Sequence, residues 1–314
     1  MSVLPAAQST SHTKARARTA ALLALGAIVL WGTLAPLGVA LRQVPPFLLT
    51  GLGLLAGSAI GLAVSGYQLL RSAPASDARA QALRGLRPPA RTLAMGVYGL
   101  FGFHFLLFIA LRHAPPVQAN LVNYLWPLGM VVLAPLFLPG TRLRLVHVVA
   151  ALLGFAGAAL AILGASGGAA VAARQGFAWG YLPAATSAFV WASYSLLTQR
   201  VPPFPTAAIG VFGLVSGLLS LLCHAVLEPA AALAPTEWLL IAALGAGPLG
   251  GAFYLWDAAL KRGDARQIGL LSFLTPLLST LGLLWLRGEW PSASIVAAAG
   301  MIVGAAWLGA RAAQ

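Results

Sequence analysis

The amino-acid sequence predicts an all-α polytopic membrane protein, with ten transmembrane helices built as two inverted five-helix repeats. Composition is the first observation: 60% of the 314 residues are apolar and 8% are charged, whereas about 25% of an average soluble domain is charged. The second observation is a series of apolar runs of about twenty residues, the length of a helix that crosses the bilayer core. The third is that the second half of the chain repeats motifs of the first half.

The same composition excludes several other classes of protein. Disorder requires low hydrophobicity and high charge, and transmembrane β-barrels require alternating strands of about ten residues. A net charge of +13 suggests nucleic-acid binding in a soluble protein, but here the basic residues lie between apolar runs, so we expect no nucleic-acid partner. The single cysteine, Cys223, allows no disulfide, and we predict neither a metal site nor a cofactor.

Apolar runs define the predicted helices and the division of the chain. The ten predicted spans are 20–41, 46–70, 93–111, 116–138, 145–164, 177–198, 205–227, 237–260, 267–286 and 292–310. The predicted parts are a cytoplasmic N-terminal tail at 1–19, a first five-helix repeat at 20–164, a periplasmic linker at 165–176, a second, inverted repeat at 177–310 and a cytoplasmic tail at 311–314.

Positive residues predict the orientation of these spans. With the N-terminus in the cytoplasm, all but four of the 19 lysines and arginines fall on the cytoplasmic side, as the positive-inside rule requires. The four exceptions are Arg42, Arg112, Arg174 and Arg287. Both termini are therefore expected in the cytoplasm, and the basic segment 71–92 is expected to form a mobile strap there.

An internal duplication links the two halves. Residues 110–128 align without gaps to residues 259–277 at an offset of 149, with identity at 7 of 19 positions. A second match pairs Val-Pro-Pro-Phe at 44–47 with the same four residues at 201–204. Because five spans per half is an odd number, the second copy enters the membrane inverted. Inverted repeats of this kind are typical of secondary transporters that work by alternating access.

Two prolines mark candidate helix kinks within the repeat. Pro127 and Pro276 lie near the middle of the fourth and ninth spans. Each removes the N–H that would bond the carbonyl four residues earlier, at Asn123 or Ser272. Since an unpaired carbonyl is costly in hydrocarbon, these carbonyls and the Ser272 side chain are candidates for the lining of a cavity. Simple structural kinks are the alternative.

Polar and aromatic residues share one face of the fourth span. Asn120, Asn123, Tyr124 and Trp126 are separated by intervals of three and four residues. Two amides and two rings on one transmembrane face would suit a ligand with a flat body and amide-like polarity. The alternative is that the amides only join helices by hydrogen bonds.

The third, first and sixth spans add further candidates. Tyr98 and His104 lie in the third span, where we expect His104 to be uncharged and able both to donate and to accept a hydrogen bond. A purely structural hydrogen bond of His104 stays open as an alternative. Trp31 and Trp191 lie midway along the first and sixth spans, away from the interfacial belts. With Tyr194, they are predicted to form an aromatic wall that could hold an aromatic or cationic solute.

Asp257 is the acidic residue that we place inside a span. Lys261 follows four residues later, in the order that favours an ion pair on one helix. A structural pair at the end of the helix is one interpretation. Coupling of transport to a proton or another cation is the other.

Taken together, the ten spans, the stretch APPVQANLVNYLWPL and its echo FLTPL resemble the EamA type of the drug/metabolite transporter superfamily, and within it the aromatic amino-acid exporters of bacterial inner membranes. The resemblance implies export of aromatic amino acids, with looser acceptance of other neutral amino acids and some cationic drugs. It also implies a central cavity whose residues correspond to positions in this chain. Those positions are Trp31, His104, Tyr124, Trp126 and Trp191, with Lys261 after the eighth span.

The sequence therefore predicts an exporter of neutral amino acids that works in the lipid bilayer of the inner membrane, as a monomer. A multidrug exporter of cations using Asp257 and a passive channel are the alternatives. We expect no enzymatic activity, because the sequence has no HExxH motif and no paired carboxylates within the spans.

Overall fold

The computed structural model describes residues 6–166 and 178–312, and all regular secondary structure in these residues is helical. Most of the predicted linker, including Arg174, lies outside the described residues. The helices are α1 (Ala6–Gly32), α2 (Leu34–Ala40), α3 (Pro46–Arg71), α4 (Asp77–Leu86), α5 (Ala90–Val97), α6 (Phe103–His113), α7 (Pro116–Asn123), α8 (Leu125–Phe137), α9 (Leu145–Ser166), α10 (Tyr181–Leu197), α11 (Ile209–Leu227), α12 (Pro235–Ala246), α13 (Ala252–Leu260), α14 (Ala265–Leu271), α15 (Leu274–Arg287) and α16 (Ala293–Ala312).

Nine stretches in the described part of the chain are long and apolar enough to cross a membrane. They are α1–α2, α3, α5–α6, α7–α8, α9, the α11 region from Thr206, α12–α13, α14–α15 and α16. These match nine of the ten predicted spans. Helix α10 occupies the predicted sixth span, but with 17 residues it is shorter than the others. The described residues thus form a multi-pass, all-helical membrane protein.

The first span differs from its prediction because it is broken at Thr33. Pro36 lies in the first turn of α2 and has no N–H to offer the carbonyl of Gly32. The hydroxyl of Ser279, on α15, donates to that carbonyl instead, at 3.1 Å. The break is therefore supported by a hydrogen bond from a distant helix, a partner that local sequence does not reveal.

The basic segment 71–92, predicted as a mobile strap, contains a ten-residue helix, α4. Ser76 precedes it, and its hydroxyl accepts a hydrogen bond from the backbone N–H of Arg79 at 3.3 Å. Asp77 in the first turn complements the positive end of the helix dipole. Helix α4 packs against α3 and α11 and so belongs to the folded bundle.

Helix irregularities recur at the offset of 149 found in the sequence. A π-helical turn at Tyr98–Gly102 joins α5 to α6, and another at Gly247–Gly251 joins α12 to α13. The fourth span breaks between Asn123 and Leu125, and the ninth between Leu271 and Leu274. Pro127 and Pro276 each lie in the first turn after the break, where the missing N–H does least harm.

Packing between the halves follows an exchange pattern. Helix α3 packs on α11, α9 on α16, and α8 on α14, which pairs corresponding spans. Helix α1 of the first span packs on α13 of the eighth, and α10 of the sixth span packs on α6 of the third. The first span of each half therefore contacts the third span of the other half. One close approach between the halves needs two glycines, since a Cβ atom on Gly57 of α3 would lie 2.6 Å from the Cα atom of Gly250.

The molecule has two ends that are used below as reference points. Arg112 lies where α3 begins, with its guanidinium carbon 5.6 Å from the centre of the Phe47 ring. Lys261 lies near the N-terminal half of α1, because the guanidinium of Arg16 donates to the Lys261 carbonyl at 3.0 Å. Because α1–α2 leads directly to the start of α3, the Arg112 end and the Lys261 end are opposite ends of the bundle.

Candidate functional site

A cavity of about 660 Å³ lies between the two halves of the molecule. It is lined by residues of α1–α2, α3, α6, α7–α8, α9, α10, the α12–α13 region and α15. It extends from the tryptophans in the middle of the bundle to Arg287, an exposed residue at the end of α15. The cavity is therefore open toward the Arg112 end, and its floor lies inside the bundle.

Three tryptophans, Trp31, Trp126 and Trp191, line the floor of this cavity, and Trp256 packs against two of them. Trp31 lies 6.3 Å from Trp126, 5.8 Å from Trp191 and 5.0 Å from Trp256, measured between ring centroids. Trp126 also packs edge-on against Trp256 at 5.7 Å. All four side chains are buried. Aromatic pairs of this geometry contribute about 0.5–1.5 kcal/mol each, so the floor is a mutually supporting cluster.

Hydrogen bonds fix two of these indoles. The N–H of Trp31 donates to the carbonyl of Pro248, within the second π-helical turn, at 3.1 Å. The N–H of Trp256 donates to the hydroxyl of Ser195 at 3.2 Å. Trp256 was not among the residues predicted from the sequence, although it lies one position before Asp257, which was.

The fourth span supplies one polar wall. Asn120, Asn123, Tyr124 and Trp126 all line the cavity, and the helix break at Tyr124 separates the two amides from the indole. The Asn123 side-chain oxygen accepts a hydrogen bond from the hydroxyl of Ser187 at 2.9 Å. One side of the Asn123 amide therefore joins helices, while the residue still lines the cavity.

His104 stands on the same side of the cavity. Its Nδ1 atom lies 2.6 Å from the carbonyl oxygen of Leu100. Because a carbonyl can only accept, Nδ1 carries the hydrogen, and in the uncharged ring Nε2 is then an acceptor. The imidazole is surrounded by the rings of Phe103, Phe108 and Phe253, at 5.1, 6.2 and 6.3 Å. The structural hydrogen bond and the position on the cavity therefore occur together.

The opposite wall was largely missed in the predictions from sequence. Thr275, Pro276, Ser279 and Thr280 of α15 line the cavity, and the hydroxyl of Thr275 has no hydrogen-bond partner among the described residues. In this span only Ser272 and Pro276 were predicted. The signal that could have found the others is their helical spacing, at three, seven and eight residues after Ser272.

Several predicted site residues lie outside the lining of the cavity. Tyr98 is paired with Ser193, oxygen to oxygen at 2.8 Å. Tyr194 is buried against Trp191 at 5.3 Å. The hydroxyl of Ser272 is buried and donates to the carbonyl of Gly269 at 2.5 Å. Pro127 is also buried, next to the floor. None of these four residues is part of the cavity lining.

Asp257 and Lys261 meet at the closed end of the bundle, away from the cavity. The Lys261 ammonium is 2.6 Å from a carboxylate oxygen of Asp257 and donates to the carbonyl of Phe204 at 2.8 Å. The hydroxyl of Thr206 donates to the same Asp257 oxygen at 2.6 Å. No three His, Cys, Asp or Glu side chains in the described ranges come together in a way that could hold a metal ion.

Comparison with known proteins adds the family to this geometry. The EamA-like transporter family matches residues 18–163 and 178–310, most of the chain. The chain belongs to the EamA-like transporter family. The two matched stretches meet near the middle of the chain, as the internal duplication does. As a member of a transporter family, the protein is not expected to be an enzyme.

Curated relatives of this EamA-like chain carry one name. The chain is 44% identical over 288 residues to the aromatic amino acid exporter YddG of Ancylobacter novellus, and the match covers 92% of this chain and 96% of that protein. It is 29% identical to YddG of Salmonella typhimurium and 27% identical to YddG of Escherichia coli, each over 83% of this chain and 86% of the relative. The resemblance inferred from the sequence motifs is thereby confirmed.

A solved crystal structure shares the fold. It matches with a TM-score of 0.81 at 42% sequence identity, and the match covers 93% of this chain and 96% of the other. Because the match covers 93% of this chain, the likeness extends over nearly all of the EamA-like bundle.

Proposed function

We propose that the protein exports aromatic and other neutral amino acids from the cytoplasm by alternating access. The observation that carries the proposal is the cavity of about 660 Å³ that ends at mid-depth on a floor of tryptophans. Its volume falls in the range of roughly 300–1,000 Å³ that is typical of small-molecule sites. The name shared by the curated relatives supports the same substrate class.

The lining of the cavity suits a zwitterion with a flat apolar side chain. The indoles of Trp31, Trp126 and Trp191 offer ring faces and edges to an aromatic group. The amides of Asn120 and Asn123 can donate to a carboxylate and accept from an ammonium group. The lining has no carboxylate within the described residues, which favours substrates without net positive charge.

The exchange pattern of helix packing supports an inverted repeat. Equivalent π-helical turns and equivalent helix breaks lie 149 residues apart, and the first and third spans of each half pack against the third and first of the other. Helix α10 serves as the tenth crossing; its 17 residues span about 25 Å. In the proposed orientation both termini are cytoplasmic in the inner membrane, and the cavity opens to the periplasm at the Arg112 end.

A multidrug exporter of cations that uses Asp257 is less well supported than amino-acid export. The Asp257 side chain is buried, and one of its oxygens is held by both Lys261 and Thr206. It does not line the cavity. A cation in the cavity would therefore meet aromatic rings and amides rather than this carboxylate.

Counterflow in proteoliposomes tests the proposal. Vesicles that contain the purified monomer are loaded with unlabelled phenylalanine and diluted into tracer phenylalanine or tryptophan. We expect transient accumulation of tracer above equilibrium, and competition by neutral amino acids, because a carrier exchanges its substrate. Tracer entry without such an overshoot would indicate a channel. If vesicles that contain folded protein take up none of the amino-acid tracers, amino-acid export is refuted.

A further inference from the structure

The same four-residue motif lies beside a basic residue at each end of the molecule. Val-Pro-Pro-Phe at 44–47 precedes α3, and its copy at 201–204 precedes α11. Arg112 follows the third span and Lys261 the eighth, and the two cations are separated by the repeat offset of 149. Each cation lies over the phenylalanine of its own motif: Arg112 over Phe47 and Lys261 over Phe204.

At the Lys261 end these parts are fully engaged. The ammonium nitrogen lies 3.8 Å from the centre of the Phe204 ring and also bonds the Phe204 carbonyl, Thr206 and Asp257. Arg16 of the first half reaches the backbone of Lys261. We call the set Lys261, Asp257, Phe204 and Thr206 the inner latch. One oxygen of Asp257 has no hydrogen-bond partner among the described residues, so the latch leaves a buried acceptor unsatisfied.

At the Arg112 end the cation lies farther from the ring, while its carboxylate partner Glu228 is also within 3.0 Å of His224. The Arg112 guanidinium is 5.6 Å from the Phe47 ring and donates to Glu228 at 2.8 Å. The Glu228 side chain is buried and also accepts from the backbone N–H groups of Phe47 and Leu48 at the start of α3. We call Arg112 and Glu228 the outer pair.

The repeat also identifies the outer counterparts of Asp257 and Thr206. They are Phe108, at the offset of 149, and Leu49, at the offset of 157 that relates the two motifs. Both outer residues line the open cavity, whereas their inner counterparts are joined by a hydrogen bond of 2.6 Å. The same structural parts are thus joined at the closed end and exposed at the open end.

Building on the proposed function, we propose that the inner latch and an outer gate alternate in one transport cycle, where the outer gate is the contact of Phe108 with Leu49 and of Arg112 with Phe47. The inner latch closes the cytoplasmic end while the cavity faces outward. When it releases, Phe108 closes on Leu49, and Arg112 moves closer to the Phe47 ring while Glu228 keeps hold of the start of α3. The inner gate is polar and the outer gate is mainly apolar.

Because the inner gate contains a buried ion pair, substitutions there should shift the equilibrium between the inward-open and outward-open states. Breaking a buried ion pair by removing one partner destabilises the state that contains it, because the remaining charge is left buried. Lys261→Gln or Asp257→Asn should therefore shift the population toward the inward-open state. The pair of Arg112 with Glu228 is kept in both states, whereas the closer contact of Arg112 with the Phe47 ring belongs to the inward-open state alone. Arg112→Gln should therefore shift the population back.

The test measures access to the cavity from outside. In a Cys223→Ser background, Leu283→Cys on the cavity wall is labelled with a membrane-impermeant maleimide in right-side-out vesicles. We expect Asp257→Asn and Lys261→Gln each to slow labelling at least about threefold, as a population shift predicts. Adding Arg112→Gln to Asp257→Asn should restore much of the rate. Arg84→Gln, at the same end but outside the latch, is the matched control and should leave the rate unchanged.

Each outcome bears on the proposal. Unchanged labelling in both latch variants, or a double variant no faster than Asp257→Asn alone, would overturn it. Monodisperse elution in detergent shows that a variant is folded, and Thr206→Ser, which keeps the hydroxyl, should label like the parent protein. Labelling needs no substrate, so it tests the gates independently of the proposed substrate. If the gate variants behave as expected but no added amino acid changes the labelling rate, the result counts against amino-acid export and not against the gates.

Discussion

The fourth and ninth spans have nearly the same backbone and very different side chains. Helices α7 and α14 begin 149 residues apart, and α8 and α15 begin at the same offset. A proline lies in the first turn after each break, at Pro127 and Pro276. The irregular shape is therefore common to both halves.

Side chains at matching positions face different surroundings. Asn120, Asn123, Tyr124 and Trp126 of the fourth span line the cavity. The matching positions in the ninth span are Gly269, Ser272, Phe273 and Thr275. Of these, only Thr275 lines the cavity; Phe273 is fully buried where it contacts Gly154 of α9.

This difference separates the shape of the helix, which both halves share, from the side chains that could recognise a solute, which they do not share. The broken helix supplies a shape that both halves need, since it turns backbone and side chains toward the space between them. The amides and rings that could recognise a solute come mainly from the first copy. The second copy instead supplies small hydroxyl groups and packs against α9, so a duplicated backbone carries an asymmetric site.

Trp126→Ala should have the largest effect on transport. The substitution removes a ring of the floor, and loss of one aromatic contact of about 0.5–1.5 kcal/mol raises the KM for phenylalanine up to about tenfold. Counterflow at several substrate concentrations measures this change. Thr275→Ala, at the matching position of the ninth span, should change the KM less than about twofold, because it removes a hydroxyl and no ring.

A matched control separates recognition from loss of a large ring. Trp285 lies on α15 with 80% of its surface exposed, so Trp285→Ala should leave the KM for phenylalanine near that of the parent protein. Equal losses in Trp126→Ala and Trp285→Ala would contradict the assignment of the floor. So would a Thr275→Ala loss as large as that of Trp126→Ala.

His104→Phe should have an intermediate effect. It places in the first half the residue that the second half has at the matching position, Phe253, and it keeps an aromatic ring while removing the hydrogen bond. Loss of a bond worth about 0.5–1.5 kcal/mol lowers the kcat/KM about two- to tenfold. Thermal unfolding in detergent should stay near the parent value, and His113→Phe, outside the cavity, should preserve transport. A His104→Phe protein with unchanged kcat/KM would make the residue structural.

Asp264→Asn should have the smallest effect, on stability rather than transport. Asp264 caps α14, whereas the matching helix α7 begins after Pro115 without a side-chain cap. Burial acts to raise the pKa of Asp264, but hydrogen bonds from Arg266 and its charge outweigh it, so the pKa lies below its ordinary value. The charge therefore stabilises the fold above the unfolded pKa of about 3.9, and this contribution is lost as the pH falls through the folded pKa.

Thermal unfolding checks this prediction. Near neutral pH we expect Asp264→Asn to lower the free energy of unfolding by less than about 1 kcal/mol, since the pair with Arg266 is partly exposed. The difference should shrink below about pH 4. Asp264→Ala, which removes the cap as well, should be the less stable of the two. A stability difference between the parent protein and the Asp264→Asn variant that grows with acidity would have the wrong sign for a lowered pKa.

Much of the fold follows from the sequence because hydrophobic length and proline act locally. Apolar runs predicted the nine spans found among the described residues, and Pro127 and Pro276 marked the positions of two breaks. The break at Thr33 was missed, since the hydroxyl that supports it comes from Ser279 on another helix. Helix α4 was missed because its polar composition gives no membrane signal.

The candidate site was predicted less completely than the fold. Trp31, Trp126 and Trp191 were found because tryptophan at mid-span is conspicuous, whereas Trp256 was passed over beside a charged neighbour. Helical spacing identifies which residues share a face but not how that helix is rotated in the bundle. For this reason Tyr98 and Tyr194 were included although they pack outside the cavity.

The hydrogen bond from Trp31 to the carbonyl of Pro248 has a consequence for how substrate preference can diverge. The anchor of this indole is main chain, so substitution of neighbouring side chains leaves the anchor in place. Mutations of single side chains in the cavity walls can then change which solutes bind, while the Trp31 indole keeps its position. Engineering of a new substrate preference should accordingly begin at Asn120 or Thr275 and leave Trp31 unchanged.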